Sequence, residues 1–523
     1  MNNQGIISGL MAKHSYQKWL SGLLVFAVFA GFLTLIQFST PDLVGTDGYY
    51  HIKFAYLMRT VSLIPEFPWL PLTILNPQDF VDHHFLFHVA QIPFTFGNLV
   101  SGAKWASVVF ASLAFLSVWW LFRNQEIPFA GLWALGLLGI SEAFLYRMNM
   151  PRAQALSLAI LVLGFNFLLL RKIRYLLPLG FIYVWLYDGF PLIIILTIVT
   201  TLAFWVIEGD LDFKPLIFVC AGVILGLIIN PYFPHNIIFL LRHLLPKFPD
   251  SSEVQVGNEW YPYETTQLLE NSPFALILFL SGVFAIGFRN QRMDSRTAAA
   301  LLMTMFFGVM LFQSRRFIEY FPPFAMIFAA MAWAPFIAKK NIWSVNSRKE
   351  PVSTKIVINS LHTKTGKYWR VAGISGLLLT LSIWITTRDA QAHLQGTRAA
   401  GEYSQASSWL IENTPNQARV FQTDWDDFPR LFFYNTWNTY LVGLDPTYLQ
   451  IQDADLYDLW VDITRGQVET PSRLISERFA AEYVFTDLNH EPFIQQAHKD
   501  PGMEPVYNDD QAIIFRVRLP GNE

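Results

Sequence analysis

Residues 215–230 read PLIFVCAGVILGLIIN, an apolar run with no charged side chain. About 20 mostly apolar residues suffice for a helix to cross a membrane. Working outward, comparable stretches occur near residues 19–38, 104–121, 128–145, 152–170, 175–187, 190–206, 214–230, 273–288, 297–313, 321–338 and 371–386, about 11 spans. The pair at 175–206 is short and is interrupted by Tyr187-Asp188-Gly189. A further apolar stretch, 84–100, carries His88, Pro93 and Gly97 and reads as a helix lying at the membrane surface.

Composition agrees. Of 523 residues, 53% are apolar and 15% charged, against roughly 25% charged in an ordinary soluble domain. A soluble multidomain enzyme and a disordered chain are both excluded. The net charge of -3 speaks against a nucleic-acid partner. The single cysteine, Cys220, rules out an internal disulfide and a cysteine metal cluster. Its place in the quoted run suits inert packing.

Cytoplasmic loops of membrane proteins are enriched in Lys and Arg. An inside amino terminus with 11 spans puts Lys13, Lys18, Arg123, Arg171, Lys172, Arg174, Arg289, Arg292, Arg296 and the basic 339–370 loop on the cytoplasmic side. Counting 84–100 as a span would move Arg171 to Arg174 and that loop outside. The first apolar stretch lacks a small-residue cleavage site and is followed by Pro41 and Asp42, so it reads as an anchor and not a signal peptide. Outside the membrane fall the loops 39–103 and 231–272 and the tail. The chain divides into a transmembrane domain, 1–390, and an extracytoplasmic α/β domain, 391–523. In the latter, ASSWLIENT predicts a helix, and ARVFQTDW, AEYVFTD and AIIFRVRL predict strands.

Ionisable residues at a membrane edge are functional candidates. Asp47, just after the first span, is either a helix cap or a carboxylate at a cavity mouth, acting as base or metal ligand. Asp82, His83 and His84, with His88 one turn on, combine carboxylate and imidazole, a set able to hold a divalent cation. Their other reading is a polar stripe capped by Asp82. Arg147 and Arg152 in LYRMNMPRAQ, and Arg315 and Arg316 in FQSRRFIEYFPP, lie at outer edges where basic residues are scarce. Arginine forks match phosphate; the alternative is snorkelling to lipid headgroups. The loop 231–272 offers Glu253, Glu259 and Glu264 around NEWYPYETT. In the tail, Trp425 sits among Asp424, Asp426 and Asp427 in QTDWDDFPRLFFYN, either gripping an acceptor or forming a strand-end turn.

In order and topology these pieces resemble the GT-C class of membrane glycosyltransferases, above all the catalytic subunits of oligosaccharyltransferases. The resemblance runs through GTDGYYHIKFAYLM at Asp47, LYRMNMPRAQ at Arg147, SRRFIEYFPP at Arg316, the long loop 231–272 and SSWLIENTPNQARVFQTDWDDFPRLFFYN. It implies transfer of a sugar from a polyprenyl-phosphate or polyprenyl-diphosphate carrier to a protein, lipid or polysaccharide acceptor at the outer face. Asp47 would be the catalytic base. Arg147, Arg152 and Arg316 would bind donor phosphate, and Trp425, Asp426 and Asp427 would shape the acceptor, with Glu259 and Glu264 on the outer loop. The family's acidic pair in the second outer loop has no counterpart in MNMPRAQ, so a divalent metal such as Mg or Mn would draw on Asp47, Asp82, His83 and His84. A lipid-linked glycan transporter or flippase, and a non-catalytic assembly protein of the same fold, are the other expectations.

Overall fold

The computed structural model describes residues 3–244, 257–288, 292–342 and 354–518. Glu253, Arg289 and residues 343–353 of the basic loop lie outside them. Every apolar stretch identified above is helical through most of its length. Among the described residues, five helices are long and apolar enough to cross a membrane: Trp19–Gln37, Leu99–Asn124, Pro191–Glu208, Ser295–Gln313 and Phe321–Ala338. The pair Thr265–Asn271 and Pro273–Gly287, bent by 86°, is a sixth if counted as one span. The other stretches form shorter apolar helices, among them Gln154–Leu169 and Lys214–Ile228. A 15-residue helix is about 22 Å long, below the roughly 30 Å hydrocarbon thickness, so length alone does not reach 11. The quoted run packs closely instead: a Cβ on Gly222 would lie 2.1 Å from the Leu177 carbonyl oxygen.

The tail carries a five-stranded sheet of β1 (Arg419–Gln422), β2 (Thr439–Tyr440), β3 (Tyr483–Asp487), β4 (Met503–Asn508) and β5 (Ala512–Val517), in the order β2-β1-β3-β5-β4. β1 pairs in parallel with β2 and β3, in register Val420 with Tyr483; β5 is antiparallel to β3 and β4. β4 lies at the edge, the kind of strand that tolerates a proline such as Pro505, and a register shift falls there. The three predicted strands and the helix Ser404–Asn413 are present. The tail is packed against the loop 39–103. Phe67 and Trp69 share a buried core with Phe428, Phe432 and Tyr440. The Trp69 ring stands 4.9 Å from Phe432, and its Nε1 donates to the Thr436 carbonyl at 3.0 Å. The sheet domain is thus set over the ends of the helices that hold the charged residues.

Candidate functional site

The helix Asp47–Thr60 starts against the 149–153 turn, because Gly48 has no side chain. A Cβ there would lie 2.1 Å from Pro151 Cγ. This contact brings Asp47 to Arg152, whose guanidinium donates to its carboxylate. The helix Glu142–Met148, capped by Ser141 through the Phe144 amide at 3.1 Å, carries Arg147 to the same place. From the other side, Ser314 Oγ donates to the Glu259 carbonyl at 2.9 Å and the Arg315 amide to the Tyr261 carbonyl at 3.1 Å. The turn Asn258–Trp260 is thereby pinned beside Arg316.

Glu259 is the hub. Its carboxylate meets Arg152 at 2.8 Å, Arg147 at 3.0 Å and Arg316 at 3.2 Å. Burial alone would raise its pKa, but the three guanidiniums outweigh it and hold the carboxyl well below the usual range. Arg147 is shared with the buried Glu319 at 2.5 Å, and Arg316 lies 4.4 Å over the Trp260 ring.

These groups border a cavity of about 770 Å³, lined also by His83, His84, Asp188, Asp424, Trp425, Asp426 and Tyr448. Of the expected site residues, Asp47, His83, His84, Arg152, Arg316, Glu259, Trp425 and Asp426 line it. Arg147 stands behind Glu259, whereas Asp82 and Asp427 are buried outside the lining. Glu264 is exposed at the start of the helix Thr265–Asn271. Arg315 turns away, its Nε donating to the Pro262 carbonyl at 3.2 Å.

The expected metal ligands do not come together. Asp82 spends one carboxylate oxygen on the His84 amide at 3.0 Å and the other on His88 Nδ1 at 2.8 Å. Asp47 is taken by Arg152, and His83 stacks on Phe239. Among the described residues no three His, Cys, Asp or Glu side chains converge as a metal site, so this donor set does not fit a divalent cation. The capping reading of Asp47 is corrected too: no side-chain cap bond opens its helix, and its carboxylate faces Arg152.

What Asp82 does form is a buried chain. A carboxylate can only accept, so His88 donates through Nδ1. In neutral His88, Nε2 then accepts from His51 Nδ1 at 2.8 Å. His51 lines the cavity, and burial, then His88, His84 and Arg152, lower its pKa well below the usual histidine value. Burial pushes His83 down to about 4, against the pull of Asp188. Asp426 moves the other way. Burial first, then the Asp47 charge, raises it to about 6, although Thr46 Oγ1 donates to it at 2.8 Å.

Asp424, named beside Trp425 in the sequence, reaches the cavity, and so do Asp188 and Asp445, which were not singled out as site residues. For Asp188 a signal existed: an acid in the break between two apolar helices marks a lined cavity. His243, 3.6 Å from Asp188, gave none, because helix packing brings it there.

No family model and no curated protein matches this sequence. Solved structures do. The fold is similar to that of the archaeal oligosaccharyltransferase AglB from Archaeoglobus fulgidus, in complex with an inhibitory peptide and a dolichol-phosphate. The TM-score is 0.62 at 14% identity, over 97% of this chain and 75% of that one. It is similar to ArnT from Cupriavidus metallidurans bound to undecaprenyl phosphate, with TM-score 0.56 and 14% identity over 94% and 97%. It is similar as well to the arabinofuranosyltransferase AftD from Mycobacteria, with TM-score 0.53 and 12% identity over 95% and 40%. The GT-C resemblance seen in the sequence is therefore present in the fold: an apolar helical body of a membrane protein with a sheet domain at its end.

Proposed function

We propose that this protein is a membrane glycosyltransferase that moves a sugar from a polyprenyl-phosphate-type carrier to an acceptor within the 770 Å³ cavity. The observation that carries the reading is the convergence of Arg147, Arg152 and Arg316 on one carboxylate beside Asp47. A phosphate has the acceptor oxygens to take that carboxylate's place. The solved structures of similar fold support the reading, two of them holding a polyprenyl-type phosphate.

In the reaction, an acceptor oxygen or nitrogen bonds to the anomeric carbon while the bond from that carbon to the phosphate oxygen breaks. The electron pair leaves on the phosphate, where the arginines stabilise the growing charge. The acceptor's proton passes to Asp47. A carboxylate has about four lone-pair positions, so Asp47 can hold Arg152 and still accept a hydrogen bond from the nucleophile. Trp425 and Asp426, above Thr46, shape the acceptor end. The loop charges support a cytoplasmic amino terminus with the sheet domain and cavity at the outer face, the orientation that 11 crossings give.

Purified protein in lipid nanodiscs, given a labelled polyprenyl-linked sugar and a mixture of peptide, lipid and glycan acceptors, should transfer the label. A second reading, a non-catalytic assembly protein, draws on the dispersed metal donors. It forecasts donor binding with no transfer to any acceptor class.

A further inference from the structure

The charges around Glu259 restrict the kind of donor. Three guanidiniums, of Arg147, Arg152 and Arg316, face three carboxylates, of Glu319, Asp47 and Glu259. The three acids are not equally replaceable. Glu319 is 2% exposed and outside the cavity lining. Asp47 is fixed by the contact of Gly48 with Pro151. Glu259 alone touches all three arginines, lies in the lining and rides on a short outer-loop turn. An incoming anion therefore exchanges with one carboxylate and recovers the neutral balance by bringing one negative charge.

Among the described residues the rest of the wall is mainly acidic, and its His243 faces Asp188 at 3.6 Å. Among the described residues no lysine lines the cavity, and Arg152 and Arg316 are its guanidiniums. Asp188, Asp424 and Asp426 face the same space. Additional anionic charge would meet carboxylates across a partly desolvated cavity, where repulsion is stronger than in bulk water.

We propose that the donor joins lipid to sugar through a single phosphate, a phosphodiester monoanion, and that Glu259 keeps the phosphate's place until the donor enters. A diphosphate-linked donor, with one more charge, is discriminated against. This rests on the reading of the arginines as a donor-phosphate site and narrows its substrate class.

The test measures binding of a polyprenyl-phosphate-linked sugar (the monophosphate lipid, a diester with one charge), the polyprenyl-diphosphate-linked form of the same sugar and chain length (the diphosphate lipid, with two), and inorganic phosphate to the full chain in nanodiscs at pH 7.5. Wild type should bind the monophosphate at least about tenfold more tightly than the diphosphate. Inorganic phosphate should bind far more weakly than either lipid. Glu259→Gln removes the internal competitor, so both lipids should bind more tightly, the diphosphate by the larger factor. Glu259→Asp, which restores the charge, should return the wild-type order. Tighter wild-type binding of the diphosphate, or weaker monophosphate binding by Glu259→Gln at unchanged thermal stability, overturns the proposal and leaves the donor site standing. Equal affinity for inorganic phosphate and lipid phosphate also overturns it. If neither lipid binds wild type, the donor-site reading falls, and this proposal with it.

Discussion

Arg316 decides whether the cavity takes phosphate. It contacts the cavity, Glu259 and the face of Trp260. Arg316→Ala should weaken binding of a polyprenyl-phosphate lipid by roughly tenfold to a hundredfold, the range of a lost charge-assisted hydrogen bond. Arg316→Lys should recover only part, because an ammonium cannot form the bidentate fork. Unchanged lipid binding in the alanine variant would make Arg316 a headgroup anchor. Asp426 gives a pH signature. Its pKa rises from 3.8 in the unfolded chain to about 6 in the fold. Between these values the folded state binds more protons, so its contribution to stability falls as pH rises. The thermal midpoint of Asp426→Asn relative to wild type should therefore increase from pH 4 to pH 7, and a constant difference would contradict the burial assigned to Asp426. Asp47, Arg152 and Arg316 were legible in the sequence as candidates, since charge beside a long apolar run is conspicuous, and Glu259 was legible through the length of its loop. The role of Asp82 was not. The sequence grouped it with His83, His84 and His88 as ligands for a cation, whereas in the fold its carboxylate accepts from the His84 amide and from His88 Nδ1.

At the scale of elements, the site depends on a glycine that brings a helix start against a turn. Gly48→Ala puts a methyl into the ring of Pro151, and overpacking of this kind costs about 1–3 kcal/mol. The turn carries Arg152, so the Asp47 pair opens as the turn shifts. The expected result is a modestly lower thermal midpoint with a disproportionate loss of transfer. Equal loss of both, or full activity, would show that this contact does not set the site. The apolar helices were legible because length and apolarity are counted along the chain. The helix Phe428–Tyr434 was not, since FPRLFFY is aromatic and β-like. Its overlooked signal is Pro429 in the first turn. Two-residue β2 and the proline-bearing edge strand β4 leave no periodic pattern at all.

Across the whole molecule, the tail and the loop 39–103 share one buried core. The sequence suggested a boundary at 390/391, and the helix Thr354–Gln395 runs through it. The tail then packs Phe428 and Phe432 on Phe67 and Trp69. Contacts between residues hundreds of positions apart cannot be read from local pattern, and this is why the cavity's full lining stayed hidden. The orientation proposed for the membrane is open to direct labelling. In a Cys220→Ser background, Lys499→Cys, at an exposed tail position, should react with an impermeant thiol reagent in intact cells. Protection until the membrane is opened would shift the span count by one and put the cavity on the cytoplasmic side.

The most direct measurement is sugar transfer from a labelled polyprenyl-phosphate-linked donor by wild type and by Asp47→Asn, with folding followed by thermal midpoint. The cavity reading makes Asp47 the group that takes the acceptor's proton. Removing a general base typically costs about a hundred- to ten-thousand-fold in rate. The account predicts transfer by wild type, a loss of that size in Asp47→Asn, and donor binding retained in both. Transfer by Asp47→Asn at the wild-type rate, with both proteins folded, would contradict it.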